Sequence, residues 1–298
     1  VALNRQHQLI LIKLFALLSI VRWLNILLTI FAQYLAAVFI LNPDKSFFEV
    51  FSNPKLHFMT FASAFIIAGG YIINSFYDME KDLINRPDKT LFGRVVSRKF
   101  CLNCYFLFNT IGLIIAAMAS WRIFLFYFGF SFGLWAYSHK FQKIPFIREI
   151  SASILSVTSF FAIGIFYKYI TFPLFIYGCF AMFIIFSREI LKGIEAYKGN
   201  TLFGYGTLAT WLGIKKSTII LLLVNTLSIL PLVMLIYWHD LLYLSSFLIA
   251  GTFLLNFIVF LKMIKHQSQR NTEIIHNFYK LYIVIIICLV IFIPAYQK

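Results

Sequence analysis

The chain has 298 residues, 61% of them hydrophobic and 12% charged, with a mean hydropathy of +0.86. A chain of this size cannot hide so much apolar surface in one water-soluble core, which excludes an ordinary soluble enzyme or binding module. The formal charge of +15 reads as membrane topology and attraction to anionic lipid heads, with no nucleic-acid module beside it.

Nine apolar segments are long enough to cross about 30 Å of hydrocarbon at about 1.5 Å per residue. They lie near residues 20–41, 56–76, 99–120, 121–138, 149–168, 171–188, 217–237, 241–261 and 278–296. The predicted fold is therefore all-α, a polytopic bundle of nine transmembrane helices forming a single domain over 1–298. Ahead of the first span, the apolar run after Arg5 is interrupted by Lys13 and Arg22 and is followed by no small-residue cleavage site. Residues 8–19 accordingly read as an interfacial amphipathic lead-in rather than a secretory signal. Only a few residues separate the third segment from the fourth and the fifth from the sixth, Pro173 marking the second break. Alternate connections collect 21 of the 26 Lys and Arg residues, which predicts a cytoplasmic N-terminus. Cys101 and Cys104 form a CxxC at the start of the third segment without a second pair, a pattern that fits helix packing better than zinc or redox chemistry.

Two long polar connections, about 77–98 and 187–216, fall on the expected cytoplasmic side and are where chemistry is expected. In the first, Asn74, Asp78 and Asp82 recur every four residues, so a helix lines them up on one face from inside the bundle to its mouth. The helix is expected to stop before Pro87, because the residue preceding proline avoids helical geometry. Two carboxylates one turn apart, with an amide below them, suit Mg²⁺, which takes oxygen ligands and completes its shell with water and substrate phosphates. Polar groups at membrane depth are expensive and tend to be functional. Arg22 and Asn25 open the first span among apolar neighbours and are candidates for shaping the acceptor end of a cavity. His139, His266 and His276 fall in connections and read as surface residues, and His239 with Asp240 reads as a turn.

The string N-S-F-Y-D-M-E-K-D-L-I-N-R-P-D-K, residues 74–89, resembles the first signature of the UbiA superfamily of intramembrane prenyltransferases. "RWLN" at 22–25 and "YSHKFQKIP" at 137–145 resemble further motifs of that family. The resemblance implies a nine-helix bundle around a lipid-open central cavity, in the inner (plasma) membrane of a bacterium or archaeon. It implies transfer of a polyprenyl group from a polyprenyl diphosphate to a hydrophobic or lipid acceptor, with Mg²⁺ as cofactor. By position, Asn74, Asp78 and Asp82 would form the first metal site, Asp78 and Asp82 carrying catalysis. Arg86, Ser138, Lys143 and Arg188 would contact the diphosphate, and Lys192, Glu195 and Lys198 would stand nearby.

The second signature departs from the family. Where a relative of the ether-lipid branch would read REIxKDIEDIEGD, this chain reads "REILKGIEAYKGN" at 188–200. Gly193, Ala196 and Asn200 stand at the three aspartate positions, expected on one helical face, and Lys198 replaces an acid. Fewer carboxylates hold fewer metal ions, and Arg188, Lys192 and Lys198 are placed to offset phosphate charge instead. Three readings stay open on the sequence alone: a prenyltransferase with weakened Mg²⁺-dependent catalysis, a non-catalytic relative that binds an isoprenoid lipid or a membrane partner protein, and an unrelated transporter or channel, whose broken helices and midplane charge pairs are not evident here. Release of diphosphate separates the first two.

Overall fold

The computed structural model describes residues 17–85, 97–239, 241–264 and 268–296, and their side chains except at 80–85, 239, 264, 269 and 294–296. Every element among the described residues is helical. In chain order the long ones are α1 (Trp23–Leu35, continued by a π-helical turn Ala36–Ile40), α2 (Pro54–Asn85), α3 (Arg98–Ala119), α4 (Trp121–His139) and α5 (Ile147–Tyr167). They are followed by α6 (Phe172–Glu195), α7 (Ile214–Leu227), α8 (Ile229–His239), α9 (Leu242–Val259) and α10 (Gln269–Leu289).

Side-chain caps set the tight breaks that composition only hinted at. Ser97, Ser120 and Thr171 each accept a hydrogen bond from the backbone N–H three residues on, opening α3, α4 and α6. A hydroxyl in that position satisfies one of the orphan donors of a helix's first turn. Ser120 is fully extended (φ −173°, ψ 159°), so it ends α3 and starts α4 in a single residue. Pro173 sits in the first turn of α6, where a missing N–H costs nothing.

Among the described residues, eight helical stretches are long and apolar enough to cross a membrane, α7 and α8 counting together as one span broken at Ser228. The chain is thus a multi-pass integral membrane protein. The remaining expected span is α4, whose 19 residues reach about 28 Å at about 1.5 Å each. Its many Phe, Tyr and Trp residues make it less apolar by hydropathy than its length suggests. Phe106, Phe128, Phe132, Phe247 and Phe253 point out of the bundle, as aromatic side chains facing lipid would.

Residues 77–85, the start of the first polar connection, continue α2, in keeping with the helical steps of four from Asn74 to Asp82; its 32 residues rise about 48 Å and outrun the hydrocarbon core. The amphipathic lead-in lies largely outside the described residues. Its last residues, 17–19, are helical, and that helix runs on to 21 and stops at Arg22, which turns the chain with a left-handed backbone (φ 53°, ψ 52°).

Packing follows membrane-protein rules, in which small residues and buried polar groups replace a hydrophobic drive between helices. The α2–α3 contact is close because Gly69 lies against Asn109 and Gly112 against Ile66; a Cβ on either would come within 2.6 and 2.9 Å of those side chains. Gln33 Nε2 donates to Ser63 Oγ (3.0 Å) and to the Ser159 carbonyl (2.7 Å), tying α1 to α2 and α5. Asn225 Nδ2 does the same among α7, α9 and α10, reaching Asn256 Oδ1 at 3.1 Å and Tyr279 Oη at 2.6 Å. Helix α6 runs through the middle, packed on α5, α7, α8 and α10.

The segment after α6 folds back over the bundle as two short helices, Tyr197–Leu202 and Leu208–Leu212. Three bonds hold it there. Tyr205 Oη donates to the Tyr77 carbonyl (3.0 Å), Gly206 N to the Lys143 carbonyl (3.0 Å), and Leu208 N to the Glu149 carboxylate (3.0 Å). Gly206 has no room for a side chain, since a Cβ would lie 2.4 Å from that same Lys143 oxygen.

Candidate active site

A cavity of about 660 Å³ opens at the end of the bundle where α1 begins and α2, α4 and α6 run toward their C-termini. Periodicity explains how each helix supplies it. Arg22, Asn25 and Thr29 follow one another along α1, and Tyr71, Asn74 and Asp78 along α2, in steps of three or four that keep side chains on one face. Helix α6 contributes Arg188, Lys192 and Glu195 at the same spacing, with Glu189 beside them; Ser138 ends α4. Thus Arg22, Asn25, Asn74, Asp78, Ser138, Arg188, Lys192 and Glu195, all expected from sequence, meet around one space.

Other expected residues do not. Lys143 and Lys198, expected beside the diphosphate, are exposed and stand outside the lining of this cavity. Lys143 closes a 3-10 turn, Phe141–Lys143, and engages the fold through its backbone carbonyl. Lys198 lies in the short helix after α6. Arg86 lies outside the described residues, and so does the side chain of Asp82, whose backbone belongs to α2.

The second signature is also rearranged. Helix α6 ends at Glu195, and Ala196 leaves helical geometry (φ −93°, ψ 17°), so positions 193, 196 and 200 share no continuous face. Ala196 lines the cavity. Gly193 turns away from it: a Cβ there would lie 3.3 Å from Thr207 Cβ and 3.5 Å from Glu149 Oε1. Asn200 is fully buried outside the lining, both its amide oxygen and nitrogen without a hydrogen-bond partner.

Sequence reading missed Tyr71, Arg148 and Lys280, and it placed His276 on the surface. All four line the cavity, and His276 is only 7% exposed. The available signals were Arg148, a charge at the edge of an apolar span, and Lys280, a charge just inside another. Tyr71 organises the entrance: Asn25 Nδ2 donates to its hydroxyl at 3.1 Å, and the Arg22 guanidinium lies 5.4 Å from its ring centre. Arg22 holds a left-handed backbone, which costs a non-glycine residue about 1–2 kcal/mol.

Five cations (Arg22, Arg148, Arg188, Lys192 and Lys280) face three carboxylates (Asp78, Glu189 and Glu195) across this space. The excess suits an anionic group. Lys192 is paired with Glu189, but Arg148 Nη1 and Arg188 Nε are buried with no hydrogen-bond partner, and an unmet buried donor is costly until something accepts from it. For Mg²⁺ the donor set is partial but chemically suited. Asn74 Nδ2 donates to Asp78 Oδ2 at 3.0 Å, which leaves Asn74 Oδ1, buried and without a partner, beside a carboxylate. Hard oxygens of this kind are what Mg²⁺ takes. Among the described side chains, no three His, Cys, Asp or Glu gather into a metal site.

Residues 31–284 match the model of the UbiA prenyltransferase family. The chain is 33% identical over 165 residues to digeranylgeranylglyceryl phosphate synthase of Pyrococcus horikoshii, covering 55% of this chain and 58% of that one. The same-named protein of Saccharolobus solfataricus is 35% identical over 177 residues, 56% of this chain and 61% of the relative. The chain therefore spans less than two thirds of the length of the curated relatives it matches. Among solved structures, a digeranylgeranylglyceryl phosphate synthase superposes with a TM-score of 0.69 at 20% identity, over 95% of this chain and 98% of that one. A UbiA homologue from Archaeoglobus fulgidus bound to GPP and Mg²⁺ gives 0.68 at 16% identity, over 93% and 99%. At such identities the superpositions carry the fold.

Proposed function

Because the chain belongs to the UbiA prenyltransferase family, we propose that it transfers a polyprenyl group from a polyprenyl diphosphate to a lipid acceptor within the membrane. The observation that carries this reading is the Asn74–Asp78 oxygen pair facing unpartnered arginine nitrogens at the mouth of an apolar bundle. The relatives' activity, synthesis of digeranylgeranylglyceryl phosphate, makes a glyceryl phosphate lipid the acceptor class to test first. Those relatives are archaeal, which favours an archaeal plasma membrane, and the distribution of basic residues favours a cytoplasmic N-terminus.

In this reading Asn74, Asp78 and Asp82 would hold Mg²⁺, which supplies Lewis-acid relief of charge on the departing diphosphate. The chain's own residues do the rest. Arg148 and Arg188 receive phosphate oxygens on their free N–H groups, where charge-assisted bonds are strongest. Arg22, stacked on Tyr71, covers the anion at the entrance, and Ser138, whose hydroxyl donates to the Leu134 carbonyl at 2.9 Å, lines the cavity near Asp78. The apolar wall below, including Ile67, Phe130 and Leu155, keeps water from an allylic cation while it waits for its acceptor. Ala196 leaves the α6 wall without the carboxylate the family places there, so arginines carry more of the phosphate charge than metal does.

The test is calorimetric titration of geranylgeranyl diphosphate with and without Mg²⁺ into wild type and into the Asp78→Asn, Asp82→Asn double variant, paired with an assay of diphosphate release. Metal-dependent lipid binding should vanish in the variant. Unchanged metal dependence would refute the site, and binding without any diphosphate release would refute the transferase reading.

A further inference from the structure

The wall formed by α6 and α10 holds a side-chain pair that anion binding leaves unused. His276 Nδ1 lies 3.2 Å from Glu195 Oε2, and His276 Nε2 lies 3.5 Å from Arg188 Nη2. A guanidinium only donates, so Nε2 carries the lone pair and the ring proton sits on Nδ1; Nδ1 and Glu195 Oε2, both buried, are close but not aligned as a hydrogen bond. The ring is thus a neutral imidazole backed by an acid, with its basic nitrogen covered by an arginine that is itself a phosphate ligand in the reading above. An anion that draws the Arg188 fork to itself uncovers that nitrogen inside the cavity.

Transfer to an acceptor hydroxyl needs such a group, because an alcohol oxygen that bonds to carbon must lose its proton. The other acids among the described lining residues are engaged: Asp78 accepts from Asn74, and Glu189 is paired with Lys192. His276 is the one imidazole among the described lining residues.

We propose that the Glu195–His276 pair is the general base for a hydroxyl-bearing lipid acceptor; this rests on the transferase reading above. The bond from prenyl C1 to the bridging diphosphate oxygen breaks, its electron pair leaving with the diphosphate. The acceptor oxygen bonds to C1, and its proton moves to His276 Nε2. Glu195, with Oε2 3.2 Å from Nδ1, stabilises by its charge the imidazolium that results. Lys192 and Lys280, the other cations on these two helices that line the cavity, favour release of that proton once diphosphate has gone.

The experiment measures ether product and diphosphate separately, using geranylgeranyl diphosphate with geranylgeranylglyceryl phosphate as acceptor. Wild type forms the two in equal amounts. In His276→Gln, ether formation falls at least about 100-fold while diphosphate release, by capture of the cation with water, stays within about threefold of wild type. Glu195→Gln uncouples in the same direction to a smaller degree. A smaller variant, His276→Ala, regains ether formation when imidazole is added, which a packing role would not produce. Parallel loss of both products in His276→Gln, or no loss of either, overturns the assignment. A wild-type protein that releases no diphosphate at all overturns the transferase reading and the base with it, an outcome distinct from the variant results.

Discussion

Gly193→Asp brings a second carboxylate against one that is already buried. A Cβ at 193 lies 3.5 Å from Glu149 Oε1, so the new carboxylate comes within about 5 Å of it; two like charges at that distance repel by about 3 kcal/mol at an effective dielectric of about 20. The damage extends further, because Glu149 Oε1 is the acceptor that holds Leu208 N at 3.0 Å and with it the segment folded over the cavity. A hydrogen bond to a charged group is worth about 1.5–3 kcal/mol. Restoring an aspartate at the family position should therefore destabilise this protein instead of repairing a metal site. Thermal unfolding of the purified protein in detergent reads the loss, and Glu149→Gln in the same chain, which removes the repelling charge, should recover most of it. A Gly193→Asp variant that unfolds at the wild-type temperature, or a loss that Glu149→Gln leaves untouched, would refute the placement of Gly193 against Glu149.

Ala196→Asp should behave in the opposite way: its side chain enters the cavity, and an added oxygen donor should tighten Mg²⁺ binding in the presence of geranylgeranyl diphosphate by about tenfold, near 1.4 kcal/mol, read by calorimetry. Arg22→Gly relieves a left-handed backbone costing about 1–2 kcal/mol while losing a ring contact worth about 0.5–1 kcal/mol. It should raise the unfolding temperature slightly and weaken diphosphate binding, a separation that a purely structural Arg22 would not give. In a Cys288→Ser background, which removes the one exposed native thiol, Lys198→Cys should react with a membrane-impermeant reagent only from the cytoplasmic side and Lys168→Cys only from the other. Reaction of both from one face would overturn the orientation.

Much of this protein was legible as a line of residues. Apolar segments of membrane-crossing length mark where helices must form, because backbone polar groups in hydrocarbon can be satisfied only within a helix or a closed barrel. The α3–α4 break expected near 120 falls at Ser120, and the steps of four from Asn74 to Asp78 and of three and four through Arg188, Lys192 and Glu195 put those side chains on shared faces. Periodicity fixes which residues of one helix go together. It says nothing of which helices meet. Tyr71, Arg148, His276 and Lys280 join the site only because α2, α5 and α10 converge there, and that convergence depends on contacts such as Gly69 against Asn109 and Gln33 against Ser159, between residues distant in the chain. The same holds for residues that stand outside the cavity. Lys143 and Lys198 carry the right charge at familiar positions, yet one closes a 3-10 turn and the other follows a helix that stops at Ala196. That stop accompanies the long-range bonds of Tyr205, Gly206 and Leu208, which draw the segment back over the bundle; local spacing cannot register such bonds, because their partners lie dozens of residues away.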